Sequence, residues 1–246
     1  MEWKSAWSLS KSELKHNKVP LFFTFLFVAL MSWLAGKEIQ QFALYSLGKY
    51  NFYNHYLVDM LFVVYSFAFG TIFMSSPYLS LSAMKNDQLG KRIAMYRTLP
   101  ISIESIVLSR MLIMLCILLF MTIFFFSFIF FSLTDSFFQT LPKSLYFAFV
   151  LFWLGVALFF NGVNPIAEFG VNTKFLYLYS FLLLILLIAV KILVTWLTEK
   201  GFVEWSIYLL LKYEWAAALI SLFIGLLSTF AWYALLKKRL LKRDYV

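Results

Sequence analysis

Few side chains in this chain are equipped for chemistry, and their spacing narrows what that chemistry could be. There are two histidines, His16 and His55, and one cysteine, Cys116. His55 and Asp59 stand four residues apart, so on a helix an imidazole and a carboxylate share a face, a spacing that suits a metal-ligand pair. A catalytic zinc takes three protein ligands, and the charge pattern puts His16 on the other side of a membrane, so no metal site is expected. Cys116 lies inside an apolar run and reads as packing, and no disulfide within the chain is available. The patterns G-x-x-x-x-G-K-S/T, G-x-S-x-G and H-E-x-x-H are all absent, which excludes a P-loop ATPase and the commonest hydrolase sites. No catalytic or cofactor-binding residue is assigned. Lys191 is the one charge well inside an apolar stretch. It either snorkels outward or faces a polar cavity, where it would meet substrate or a carboxylate such as Asp59 along a pathway.

A basic interruption separates two long apolar runs in residues 84–110, MKNDQLGKRIAMYRTLPISIESIVLSR. Its cations before the next apolar run are Lys85, Lys91, Arg92 and Arg97. Between Asp87 and Leu99 the spacing predicts a short amphipathic helix, with Leu89, Ile93 and Tyr96 on one face and Lys91 and Asp87 roughly opposite. Asn86 or Asp87 would cap it, Pro100 would stop it, and Gly90 weakens it by about 1 kcal/mol. Such a helix is marginal alone and must rest either on lipid headgroups or on protein. After Pro100, Ser102 predicts a second helix cap with Glu104 in its first turn, and Arg110 falls near an interface, where it would snorkel.

Hydrophobic residues make up 63% of the 246 and charged residues 13%, with a mean hydropathy of +0.83. A soluble core of this size cannot hide that much apolar surface, so the expected class is an all-α integral membrane protein. A hydrocarbon layer of about 30 Å takes roughly 20 helical residues. Six spans are expected within one transmembrane domain (1–246), at about 19–35, 57–83, 106–133, 144–163, 175–197 and 215–236. Pro77 is expected to kink the second. Residues 1–18 read as an amphipathic interfacial helix, with Trp3, Trp7 and Leu14 in one stripe and Lys4, Lys11, Lys15 and Lys18 reaching headgroups; no cleavable signal peptide is expected. Residues 161–174, rich in Asn and Gly, read as a tight turn, and 202–211 as a short re-entrant or interfacial helix before the sixth span. Of the 21 Lys and Arg, fifteen fall on one set of loops and ends, and five on the other. That asymmetry puts both termini and the basic loop in the cytoplasm, at a plasma membrane. The net charge of +9 then reports topology and contact with anionic lipid, most of all through the tail KKRLLKRDYV. No nucleic-acid partner is expected.

The order of elements is an amphipathic N-terminal helix, two spans, a short basic helix, then YRTLPISIESIVLSR leading into the third span. It resembles the permease subunit of type-two ABC exporters, most specifically in Leu-Pro-Ile-Ser followed by Ile-Val-x-Ser-Arg, and is similar in size to small Gram-positive permeases that export peptides or toxins or confer immunity. The resemblance implies a bacterial protein whose coupling helix, at 87–99, is gripped by a separate cytosolic ABC ATPase through Asp87, Leu89, Lys91, Arg92, Ile93, Tyr96, Arg97 and Leu99. It implies a second, smaller ATPase contact through Asn164, Pro165 and Glu168. ATP and Mg would be bound by that partner and no cofactor by this chain. A second permease copy, or a related permease, would complete a pathway for amphipathic or hydrophobic peptides, with lipid or drug as other cargo. Other classes fit the span count: a six-span substrate-binding component of a vitamin importer, a membrane enzyme that turns over without an ATPase, and an immunity or pore protein acting alone.

Overall fold

The computed structural model describes residues 2–49, 53, 55–75, 88–98, 100–170, 173–198 and 200–242. Among these the chain is all-helical: α1 (Glu2–His16), α2 (Lys18–Ser46), α3 (His55–Ala68), α4 (Gln88–Thr98), α5 (Ile103–Ser132), α6 (Asp135–Thr140), α7 (Lys143–Asn161), α8 (Val163–Phe169), α9 (Thr173–Thr198), α10 (Phe202–Tyr213) and α11 (Trp215–Lys242). Among the described residues, four helical stretches are long and apolar enough to cross a membrane: α2, α5, α7 together with α8, and α11. Helix α9 has 26 residues. Helix α3 is apolar but has only 14 residues, about 21 Å at 1.5 Å per residue, which is less than the hydrocarbon thickness.

The early end of α3 departs from the expected span of 57–83, and its cause is visible. After Ala68 the chain turns through Gly70, whose N–H donates to Asn161 Oδ1 at 2.7 Å. Asn161 Nδ2 donates back to the Ser66 carbonyl at 2.7 Å, and Asn164 Nδ2 donates to the Phe67 carbonyl at 2.7 Å. Two side-chain amides thus take up carbonyls that the last turn of α3 leaves open. Gly70 is required for the close approach, because a Cβ there would stand 2.6 Å from Asn161 Oδ1. The kink expected at Pro77 lies outside the described residues. Residues 161–170, expected to lie in a tight turn over 161–174, are mostly helical. They form the end of α7 and the short helix α8, with Asn161 and Pro165 buried.

Helix α2 continues past residue 35 instead of passing into an outer connection. Gly36 is its contact point with α5, since a Cβ there would lie 2.7 Å from Ser132 Cβ. One turn further, Gln40 Nε2 donates to Ser136 Oγ at 2.7 Å and Gln40 Oε1 accepts from the Thr134 N–H at 3.1 Å. Between α3, α5 and α7 the interior is aromatic. Phe62, Tyr65, Phe125 and Phe149 are fully buried, the Tyr65 and Phe125 rings stack at 5.2 Å, and Tyr65 Oη pairs with Thr122 Oγ1 at 3.0 Å. A hydroxyl at that depth needs such a partner.

Helices α7 and α11 meet backbone to backbone. A Cβ on Gly155 would lie 2.4 Å from the Ser221 carbonyl oxygen, and one on Gly225 would lie 2.3 Å from the Gly155 carbonyl oxygen. Small residues permit this approach where lipid offers no hydrophobic drive for association. The opposite face of α11 exposes Leu219, Ile220, Phe223, Leu227 and Phe230. Cys116 likewise lies on the exposed side of α5 instead of in the packed interior. Helix α1 turns Ala6 and Ser10 inward, where Ser10 Oγ donates to the Ser109 carbonyl at 3.1 Å. Trp3, Trp7 and Leu14 fall at i, i+4 and i+11 of α1 and so share one stripe; Trp3 and Trp7 are exposed, whereas Leu14 packs against the core.

Gly155→Ala or Gly225→Ala forces α7 and α11 apart and is expected to cost about 1–3 kcal/mol, the range for overpacking. A melting temperature several degrees lower in detergent is the readout.

Candidate functional site

Charge is gathered in two places, one at each end of α3. At the end shared by α1, α4, α8 and the last turns of α11, three of the described helices converge on one carboxylate. Glu13 of α1 pairs with Arg92 of α4 at 2.9 Å and, through its other oxygen, with Arg110 of α5. Arg110 also stands 4.0 Å from Glu168 of α8, and its guanidinium lies 4.0 Å from the centre of the Phe169 ring. Arg92 Nε donates to Tyr96 Oη at 3.2 Å. Burial pulls the Arg92 guanidinium down, but Glu13 and then Tyr96 outweigh it and hold it above its ordinary value. A cavity of about 90 Å³ opens beside this group, between Asn17, Thr71, Asn164 and Glu168.

The apolar side of α4 completes the arrangement. Ile93 is 1% exposed and packs with Val107, Ile166, Phe169, Leu236 and Leu240, with Tyr96 against the edge. Helix α4 therefore turns Arg92, Ile93 and Tyr96 toward the bundle and leaves Lys91, Met95 and Thr98 facing out. These three fall at i, i+4 and i+7, one stripe of the helix. Leu89 and Arg97 lie in α4 with side chains outside the described ones, and Asp87 and Leu99 lie outside the described residues. Arg110 does not snorkel. It is 5% exposed and points inward. Ser102 caps α5 as its type suggests, its Oγ accepting from the Ser105 N–H at 3.2 Å, and Glu104 in the first turn of α5 pairs with Lys237 of α11.

At the other end of α3, Lys191 of α9 meets Asp59 at 3.4 Å, with side chains 3% and 0% exposed. Asp59 Oδ1 accepts the Val203 N–H at 3.0 Å, so it caps α10 from across the bundle. Gly201, just before α10, leaves room for this; a Cβ there would stand 2.8 Å from Asp59 Oδ2 and 3.0 Å from His55 Cβ. Lys191 Nζ also lies 4.1 Å from the centre of the Tyr56 ring. Of the two readings of Lys191, the geometry is that of a lysine turned inward. His55 and Asp59 do share a face of α3, but no group of three His, Cys, Asp or Glu side chains placed to hold a metal ion occurs among the described residues.

Asn164 and Pro165 sit against the end of α3 and Glu168 faces Arg110, so these three line the interior cavity. Two residues that organise these sites carry no motif. Glu13 is one; its only signal is the Ala6–Ser10–Glu13 spacing of small and polar residues along α1. Asn161 is the other, since its turn-forming type conceals its use as a cap. No family model, curated protein or solved structure matches the chain.

Glu13→Gln strands two guanidiniums, one of them buried. The expected loss is toward the lower end of the about 3–5 kcal/mol typical of breaking a buried pair, because Arg92 keeps access to water. Thermal unfolding in detergent reads this, with Glu13→Asp milder. Lys191→Met leaves Asp59 buried and uncompensated and is expected to cost about 3–5 kcal/mol. Adding Asp59→Asn should recover a substantial part of it; a double variant no more stable than the single one argues against the pair.

Proposed function

We propose that this chain is the membrane subunit of an ATP-driven exporter of the type-two ABC class, coupled to a separate cytosolic ATPase. The observation that carries the reading is the mounting of α4. A basic helix of 11 residues is marginal alone, yet here its inner side is fastened by Ile93 and by the Arg92–Glu13 pair while Lys91, Met95 and Thr98 stay exposed. A fastened helix with one free stripe suits the transfer of force from a partner. Both described ends of the chain lie at this same end of the bundle, as Ser105 Oγ donating to the Glu2 carbonyl and Leu240 packing near Ile93 indicate. The excess of cations there favours the cytosol. The six-span reading adds α3 and α9 to the four helices of sufficient length. Asn164, Pro165 and Glu168 then serve the ATPase contact from beneath, by holding α8 and α3 under α4.

In this reading, ATP and Mg are bound by the partner. Closure of two ATPases displaces α4, and Glu13 passes the displacement to α1 and, through Arg110, to α5. The pathway forms with a second permease copy or a related chain and shifts in population between inward- and outward-open states. The Asp59–Lys191 pair lies toward the outer side of that pathway, where α10 is the re-entrant segment. The aromatic interior suits amphipathic or hydrophobic peptide cargo, with lipid or drug as other cargo.

The test is co-expression with an ATPase carrying Walker motifs. Lys91→Glu with Met95→Glu is expected to reduce recovery of the complex at least about tenfold, equivalent to about 1.4 kcal/mol, with the melting temperature unchanged. Charge reversal at Arg92 is less diagnostic, since it also breaks the internal pair with Glu13. Undiminished recovery with the Lys91/Met95 variant counts against the reading.

A further inference from the structure

We propose that Lys238, Arg239 and Lys242 form, with the surface at Gly170, a discrete site for the headgroup of an anionic phospholipid. The inference goes beyond the exporter reading and does not rest on it. Residues 215–236 are an apolar helical stretch about 33 Å long at 1.5 Å per residue, close to the hydrocarbon thickness of about 30 Å. The next turns of α11 therefore fall at headgroup level.

The cations at this end divide into two groups. Arg92 and Arg110 are held by Glu13, and Lys237 by Glu104. Lys238, Arg239 and Lys242 are exposed, and among the described residues no carboxylate pairs with any of them. The three line a groove of about 520 Å³ together with Leu235 and Gly170. Gly170 ends α8, its N–H donating to the Ile166 carbonyl at 2.7 Å. A Cβ there would stand 3.3 Å from Arg239 Cδ, so the missing side chain opens the wall beside the guanidinium.

Two further features select a lipid over a free anion. Leu235, on the hydrocarbon side of the cations, lines the groove and is 46% exposed, offering apolar surface where acyl chains begin. The other side of the same turns is fixed, because Leu236 and Leu240 are buried with Ile93 and Ile166. The cations therefore project from a packed frame and not from a loose tail. Guanidinium and ammonium groups set on such a frame suit a phosphodiester.

The experiment uses the full chain, delipidated in neutral detergent and titrated with phosphatidylglycerol or phosphatidylcholine, with bound lipid counted by native mass spectrometry. The wild type is expected to retain one phosphatidylglycerol per chain in preference to phosphatidylcholine. The K238Q/R239Q/K242Q variant should lose that retention at least about tenfold, as the contribution of each cation at an anionic surface implies. The K4Q/K11Q/K15Q variant removes as much charge from exposed positions of α1 and should keep it. The proposal is overturned by equal retention of the two lipids, by an undiminished α11 variant, or by an α1 variant that loses as much. It is also overturned if inorganic phosphate at equal concentration displaces the lipid, which would make this a site for a free anion. All six substituted positions are exposed, and matched melting temperatures establish that each variant is folded.

Discussion

Glu13 gives each of its oxygens to a different guanidinium, and the end of the bundle that holds α4 depends on that division. Helix α1 already lies along α5 through Ala6 and Ser10, but α4 is too short to persist unaided. One carboxylate fixes the position of α4 against α5 and shields Arg110 from being a bare charge at the edge of a membrane. Arg110 in turn lies over Phe169 and close to Glu168, which extends the same link to α8. Ile93 supplies the apolar counterpart, so α4 is held by charge on one flank and by packing beneath.

The remaining polar groups obey a stricter rule, because in hydrocarbon a backbone group without a partner costs several kcal/mol. This chain meets it with side chains sent across the bundle. Asn161 and Asn164 close one end of α3, and Asp59 opens α10 at the other. Lys191 then keeps Asp59 from being an isolated charge. Gly70 and Gly201 stand where these side chains arrive, and their lack of a Cβ is what admits the amide and the carboxylate.

How much of this was legible in the sequence follows from the range of the interactions. Local signals read well: Ser102 as a cap, a helix near 88–98, and His55 and Asp59 on one face. Periodicity told which residues of α4 share a side but not which side turns inward. Leu89, Ile93 and Tyr96 were grouped as a surface for a partner, whereas Ile93 and Tyr96 are turned toward the bundle. A lone arginine near an interface reads as one that reaches outward, but the partner that turns Arg110 inward lies 97 residues earlier. The end of α3 at Ala68 was invisible for the same reason. Nothing in residues 57–83 halts a helix before Pro77 except Gly70, and the groups that complete the stop are 91 to 97 residues further on.

That last distance has a consequence for how the protein is made. As the ribosome delivers the chain, α3 reaches the translocon well before Asn161 and Asn164 have been synthesised. Until α7 emerges, the carbonyls of Ser66 and Phe67 and the N–H of Gly70 must find water or transient partners. Biogenesis of the amino-terminal half is thus tied to synthesis of the middle, and a ribosome-stalled fragment ending before residue 161 would leave α3 with an unfinished terminus.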